Sequence, residues 1–153
     1  MSEGPYLFDV GVVALAHAGT PVSEVPLSYL REAIRGEIEA VLPYPALVGA
    51  HHILVSYYGF SGDDASRMMR NLADAKRIDW YDRVPERVVR SGFDLAADLG
   101  IDGWDGYYAQ VALDEGVETI LTLDDDFEAA DGVESEVILS PAEFATLNDH
   151  LEN

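Results

Sequence analysis

The 153-residue chain contains no cysteine, which excludes disulfide frameworks, thiolate metal sites and cysteine nucleophiles. It has a single lysine, Lys76, and no basic residue after Arg90. No apolar run approaches the roughly 20 residues that a membrane span requires. The opening MSEGPYLFDV lacks the basic n-region and cleavage site of a secretory leader. Repeats, linkers and low-complexity segments are also absent. These absences lead us to expect a cytoplasmic protein without membrane association.

What the chain has in excess is acid. Asp and Glu number 29 against 9 Lys and Arg, for a formal charge of −20. Repulsion among so many carboxylates strains a compact fold in dilute buffer, and concentrated salt screens it. Acids spread over every segment, with arginine in place of lysine, are the composition expected of a protein from an extreme halophile. Hydrophobic residues make up 48% of the chain and recur in regular blocks, as a single globular domain over 1–153 requires. The charge is nevertheless uneven. All nine basic residues fall between Arg31 and Arg90, whereas the segment from Ile101 onward holds fifteen acids.

Patterning predicts strands alternating with helices. Tyr6–Ala16 starts as an apolar strand with Asp9 inside its pattern. Val25–Gly36 reads as a helix with Leu27, Leu30 and Ile34 on one face. Ala40–Leu42 suits a short strand, followed by a helix from Pro45 to about Tyr58. Ser61 caps a further helix with Asp63 and Asp64 in its first turn. Ile78–Val84 is strand-like, and Pro85 opens a helix to Leu99 that Gly100 stops. A helix then runs from about Asp102 to Glu115. Strands are expected at Glu118–Leu123 and Glu136–Leu139, and Ser140 with Glu143 forms a capping box for a terminal helix. The alternation predicts a three-layer α/β/α fold around a mainly parallel sheet.

In such sheets, sites form outside the carboxyl ends of the strands. Asp9 lies near the end of the first strand, Asp124 and Asp126 follow the strand ETILTL, and Asp105 lies in the first turn of its helix. Asp102 has the position of a helix cap. Gathered carboxylates repel one another unless a cation neutralises them, and hard oxygen ligands of this kind suit Mg²⁺ or Mn²⁺.

Three segments resemble the PIN domain family, the small nuclease domain of many prokaryotic toxin–antitoxin pairs (VapC-type toxins). They are Leu7-Phe8-Asp9-Val10-Gly11, the helix start Asp105-Gly106-Tyr107-Tyr108-Ala109, and Thr122-Leu123-Asp124-Asp125-Asp126-Phe127, which matches the family's T-x-D-x-D-F signature. Their order and spacing agree over nearly the whole chain. The resemblance implies a metal-dependent endoribonuclease with Asp9, Asp105 and Asp124 as catalytic metal ligands and Asp126 as a fourth contributor. It implies Thr122 hydrogen-bonding within the site and Phe127 packing beneath it. It also implies Mg²⁺ or Mn²⁺ as cofactor, an RNA substrate, an antitoxin protein partner and a homodimer, with Val41–Tyr58 as the contact segment.

Two positions depart from the family pattern. The glutamate usual early in the second or third helix falls at Gly49, and no acid lies between Glu39 and Asp63. His52, three residues on, is the candidate replacement on the same helix face. Gly11 stands where many relatives have Ser, Thr or Asn. The alternative is therefore a degenerate PIN domain that binds RNA or a protein partner without cleavage. A haloacid-dehalogenase-like phosphatase is disfavoured, since its second aspartate would fall on Gly11. Arg67, Arg70 and Arg77 are candidates for RNA phosphate contacts, although surface ion pairing is the expected fate of most basic residues in so acidic a chain. Trp80 suits either base stacking or sheet-edge packing. His17 and His150 have no partner acids at metal or triad spacing and are assigned structural roles.

Overall fold

A computed structural model describes residues 4–123, 127, 130 and 132–152. Among these, five strands form one sheet: β1 (Tyr6–Phe8), β2 (Ala40–Pro43), β3 (Asp79–Tyr81), β4 (Thr119–Thr122) and β5 (Glu134–Val137), in the order β3-β2-β1-β4-β5. Every pairing is parallel. The connections carry α1 (Val10–Ala18), α2 (Glu24–Arg35), α3 (Tyr44–Ser56), α4 (Gly62–Ala73), α5 (Glu86–Leu99) and α6 (Gly103–Asp114), and α7 (Pro141–Glu152) follows β5. The three-layer α/β/α architecture expected from the alternation is the one observed. Among the described residues, no helix is long and apolar enough to cross a membrane.

β1 sits centrally and is apolar, with Leu7 and Phe8 fully buried. Its ladders with β2 and β4 place Leu7 between Val41 and Ile120. Both central neighbours are likewise buried, as expected of a sheet covered on its two faces. One helical group joins α1 to α2 and α3, and α3 to α4; a second pairs α5 with α6, which rests on β4. α7 closes a smaller cluster in which Leu147 packs with Leu15, Val22 and Leu139.

The boundary signals act as expected at several helices. Ser61 Oγ accepts the Asp64 N–H at 3.1 Å. Asp102 Oδ1 accepts the Asp105 N–H at 2.8 Å. The capping box closes reciprocally, with Ser140 N donating to Glu143 Oε1 at 2.9 Å and Glu143 N donating to Ser140 Oγ at 3.1 Å. Gly100 ends α5 in the left-handed region with φ 70°.

Two expectations are corrected. Tyr6–Ala16 is a strand only as far as Phe8; Asp9 then caps α1, accepting the Val10 N–H at 2.8 Å. Val12 through Ala16 are all buried in α1. A helix enclosed on nearly all sides has no polar stripe, so its sequence reads like a buried strand. In α2 the inward face is Pro26, Leu30 and Ala33, while Ile34 is exposed.

Candidate functional site

β1 pairs with β2 on one side and β4 on the other, so the strand order switches direction at the carboxyl ends of β1 and β4. Open α/β sheets leave a crevice at such a point. Asp9 is the first residue beyond β1. Its N–H continues the ladder by donating to Leu121 O at 3.0 Å. The same register sets Asp9 beside Thr122, whose hydroxyl donates to Asp9 Oδ2 at 3.2 Å. Asp9 Oδ1 accepts the Val10 N–H. Both carboxylate oxygens are thus oriented by groups that the sheet and α1 fix in place, and Asp9 is only 7% exposed.

Asp105 reaches the region from α6. The Asp102 cap fixes where that helix begins and holds the Asp105 backbone in its first turn. Gly106, the next residue, lies directly against the carbonyl oxygen of Gly92 on α5, and a Cβ at Gly92 would stand 2.9 Å from Tyr107 Cα. Backbone-to-backbone packing of α5 on α6 therefore seats this turn, leaving Asp105 9% exposed.

Tyr108 lies one turn after Asp105, and its ring is tied to the site by stacking. Trp104 is near-parallel to it, with ring centroids 6.0 Å apart and planes at 21°. Burial raises the Tyr108 phenol well above its ordinary value, and the charge of Asp9, the adjacent Tyr107 and the charge of Asp105 push it further. One buried side chain thus feels both aspartates. Tyr107 is similarly pushed up to about 12, chiefly by burial, and its hydroxyl donates to Arg83 O at 3.4 Å. Tyr108 lies within the motif Asp105-Gly106-Tyr107-Tyr108-Ala109, and no role for it follows from the sequence. Its signal was the three-residue spacing from Asp105, which places both on one helix face.

Gly49 on α3 faces this group. A Cβ there would stand 2.8 Å from Val10 Cγ2 and 4.0 Å from the Tyr108 hydroxyl. α1, α3 and α6 converge at that point, and with the present backbone a side chain at position 49 would collide with Val10.

Asp124 and Asp126 lie outside the described residues. Among the described residues, no group of three or more His, Asp or Glu is placed to hold a metal ion. The donor set that is described still fits a hard cation. Magnesium is commonly bound through one or two carboxylates, its remaining ligands coming from water and substrate. Two buried carboxylates with a hydroxyl beside one of them supply that chemistry. Phe127 is buried in the main core.

The other candidates occupy separate places. His52 is exposed on α3, with Nδ1 3.5 Å from Ser56 Oγ, and lines a groove with Gly11 and Leu123. Arg67 pairs with Asp64 at 3.1 Å on the exposed face of α4. Arg70 borders a groove with Leu47, Val48 and Met69. Arg77 donates to Arg35 O at 2.6 Å. Trp80 stacks on Tyr44 at 5.0 Å and donates its indole N–H to Ala75 O. His17 bonds within α1 through Nδ1 to Val13 O at 2.8 Å. An apolar groove of about 490 Å³ lies between α5 and the start of α6, lined by Val84, Val89, Phe93, Trp104 and Tyr107.

Among solved structures, the chain is similar to VapBC2 from Rickettsia felis bound to a DNA fragment from their promoter. The identity is 12% and the TM-score 0.63, over 86% of this chain and 96% of that one. It is also similar to FitAcB from Neisseria gonorrhoeae, with 22% identity and a TM-score of 0.57 over 85% and 95% of the two chains. The fold is PIN-like. At these identities the likeness extends to the fold alone. No model of a known protein family and no curated protein matches the chain.

Proposed function

We propose that the chain is a PIN-type, metal-dependent endoribonuclease and the toxin of a toxin–antitoxin pair. The observation that carries this reading is Asp9, a buried carboxylate oriented by Thr122 and the Val10 N–H at the switch point of the sheet, with Asp105 buried in the first turn of α6. Burying two like charges near one another is costly, and a divalent cation relieves that cost. The motif resemblance and the likeness in fold to VapBC2 and FitAcB support the same conclusion.

In this reading Asp9 and Asp105 hold Mg²⁺ or Mn²⁺, and Asp124 and Asp126, which follow β4 directly, complete the acidic set. The cation supplies charge neutralisation at the phosphodiester and activation of water. Thr122 keeps Asp9 Oδ2 oriented, the Val10 N–H holds Oδ1, and the Asp102 cap holds the turn that presents Asp105. Partner binding and dimerisation belong to the proposal as well. On α3, Tyr44 and Val48 expose apolar surface, with Tyr57 just beyond the helix. That surface suits an interface between two copies. The acid excess fits work in a highly saline milieu.

The test is cleavage of a mixed RNA substrate in molar KCl with Mn²⁺ or Mg²⁺. Cleavage that EDTA stops, and that Asp105→Asn lowers at least about 100-fold with the fold intact, is the expected result. Activity retained in Asp105→Asn overturns the assignment. Gly49 favours a second reading, a PIN-like domain that binds RNA or protein without cutting, because no carboxylate extends from α3 toward Val10 and Tyr108. A folded wild-type protein that binds RNA but neither binds Mn²⁺ nor cleaves is the outcome that selects it.

A further inference from the structure

Three large apolar side chains share one groove at the surface. Val84, Phe93 and Trp104 are 57%, 60% and 55% exposed, and with Tyr107 they line the space between α5 and the start of α6. Single exposed apolar residues need no explanation, whereas a contiguous apolar groove marks a binding surface. Trp104 immediately precedes Asp105 in the first turn of α6. Its indole is held from within, near-parallel to Tyr108 and edge-on to Tyr107 with ring centroids 6.2 Å apart, while more than half of the residue stays open. An aromatic plane fixed in this way loses little entropy when a second flat group stacks on it.

Charge restricts how such a protein can hold RNA. The formal charge is −20, and four of the nine basic residues, Arg31, Arg67, Arg87 and Arg90, already pair with acids. Phosphate contacts also lose affinity steeply as salt rises. Stacking needs no positive charge, and every base has a π-face. The groove offers about 490 Å³ with aromatic walls, one residue from a carboxylate that the nuclease reading assigns to the cation. That proximity favours a nucleic-acid strand over a protein segment as occupant. A strand whose phosphate reaches Asp105 sets an adjoining base beside that residue.

We propose that the groove between α5 and α6 is a nucleobase subsite, in which an unpaired base of the RNA stacks on Trp104 with Phe93 as the wall on the α5 side. The inference rests on the RNA substrate of the reading above. It adds the residues that hold that substrate and the state of the strand. Paired bases are stacked on one another, so a duplex offers the groove nothing unless it opens.

The experiment measures the Kd of a fluorescein-labelled, adenine-rich RNA decamer by anisotropy, between about 0.5 and 2 M KCl. Ca²⁺ replaces Mn²⁺, and the strand is checked to be intact afterwards. Removing one base–aromatic stack in Trp104→Ala should raise Kd between about 5- and 150-fold, while Trp104→Phe should stay within about threefold of wild type. Phe93→Ser, at an exposed position, should raise Kd by at least about threefold, and it decides the matter if Trp104→Ala fails to fold. The same sequence as a duplex should bind at least about 10-fold more weakly. The slope of log Kd against log[KCl] should stay below about 1, fewer than two phosphates' worth for a single strand. Unchanged Kd in the folded variants, or a duplex bound as tightly as the single strand, overturns the proposal. Unchanged RNA affinity with a smaller sedimenting species in Trp104→Ala assigns the groove to a contact between copies and also overturns it. If the wild type binds RNA through Trp104 but does not cleave it in Mn²⁺, the nuclease reading falls and the subsite stands. If it cleaves RNA and Trp104→Ala cleaves equally well, the subsite falls and the nuclease reading stands.

Discussion

Thr122 donates a 3.2 Å hydrogen bond to Asp9 Oδ2, joining two residues 113 positions apart at the carboxyl ends of adjacent strands. Thr122 is completely buried, so its hydroxyl has one fixed environment and the bond is charge-assisted. Thr122→Val keeps the shape and removes the donor. Hydrogen bonds to charged groups contribute roughly 1.5–3 kcal/mol, and a loss in that range is expected from urea unfolding in molar KCl. Thr122→Ser, which keeps the hydroxyl, should recover most of it. A valine variant as stable as wild type would show that the bond does not hold the carboxylate.

Gly106 presents two opposing effects on one residue. In an exposed helix interior, glycine to alanine stabilises by about 1 kcal/mol through backbone entropy. Here the added methyl would run into the Gly92 carbonyl oxygen and come within 2.9 Å of Ala96 Cβ. Backbone cannot yield as a flexible side chain does, and overpacking typically costs 1–3 kcal/mol. The clash wins, so Gly106→Ala is expected to lower Tm. Because the following turn carries Tyr107 and Tyr108, near-ultraviolet circular dichroism should change with it. An unchanged or higher Tm would mean that α5 and α6 separate freely.

The carboxylates at the strand ends were legible in the sequence because each is a local anomaly. Asp9 interrupts an apolar segment, and Asp105 opens a helix of small and apolar residues. Caps were legible for the same reason, since Ser61, Asp102 and the Ser140–Glu143 pair act within four residues of themselves. α1 was not, because a helix buried on nearly every side carries no polar period. The close packing around Tyr108 was not either. It depends on Gly49, Val10 and Tyr108 meeting from three helices, and nothing in the neighbourhood of any one of them announces the other two.

His17 gives a pH dependence whose sign follows from its burial. Desolvation lowers its pKa below the ordinary 6.5, and the hydrogen bond to Val13 O opposes this only in part. The unfolded chain therefore binds the proton more readily than the folded one. Its contribution is fully present above about pH 6.5 and is lost as pH falls from there toward the lower folded value. His17→Gln should flatten the stability profile between about pH 7 and pH 5 relative to wild type. The difference between the two profiles isolates this residue from the other titrating groups. Parallel profiles would show that His17 takes up its proton without cost.

Salt should stabilise this protein, and the sign is decided by counting charges. Four ion pairs, Arg31–Glu24, Arg67–Asp64, Arg87–Asp114 and Arg90–Glu86, are recorded among the described residues, each with its arginine exposed. Exposed pairs contribute about 0–1 kcal/mol each, and salt weakens them. Against them stands a formal charge of −20, whose self-repulsion salt weakens as well. Screening shortens the reach of charge from about 10 Å at 0.1 M to about 3 Å at 1 M, and the unbalanced carboxylates far outnumber the pairs. Relief of repulsion wins, so Tm should rise steadily from 0.1 M to 2 M KCl. Asp94→Lys with Asp98→Lys, on the exposed face of α5, should raise Tm at low salt and reduce the slope. If the slope is unchanged in that double variant, the salt effect comes from solvent exclusion at apolar surface and not from charge.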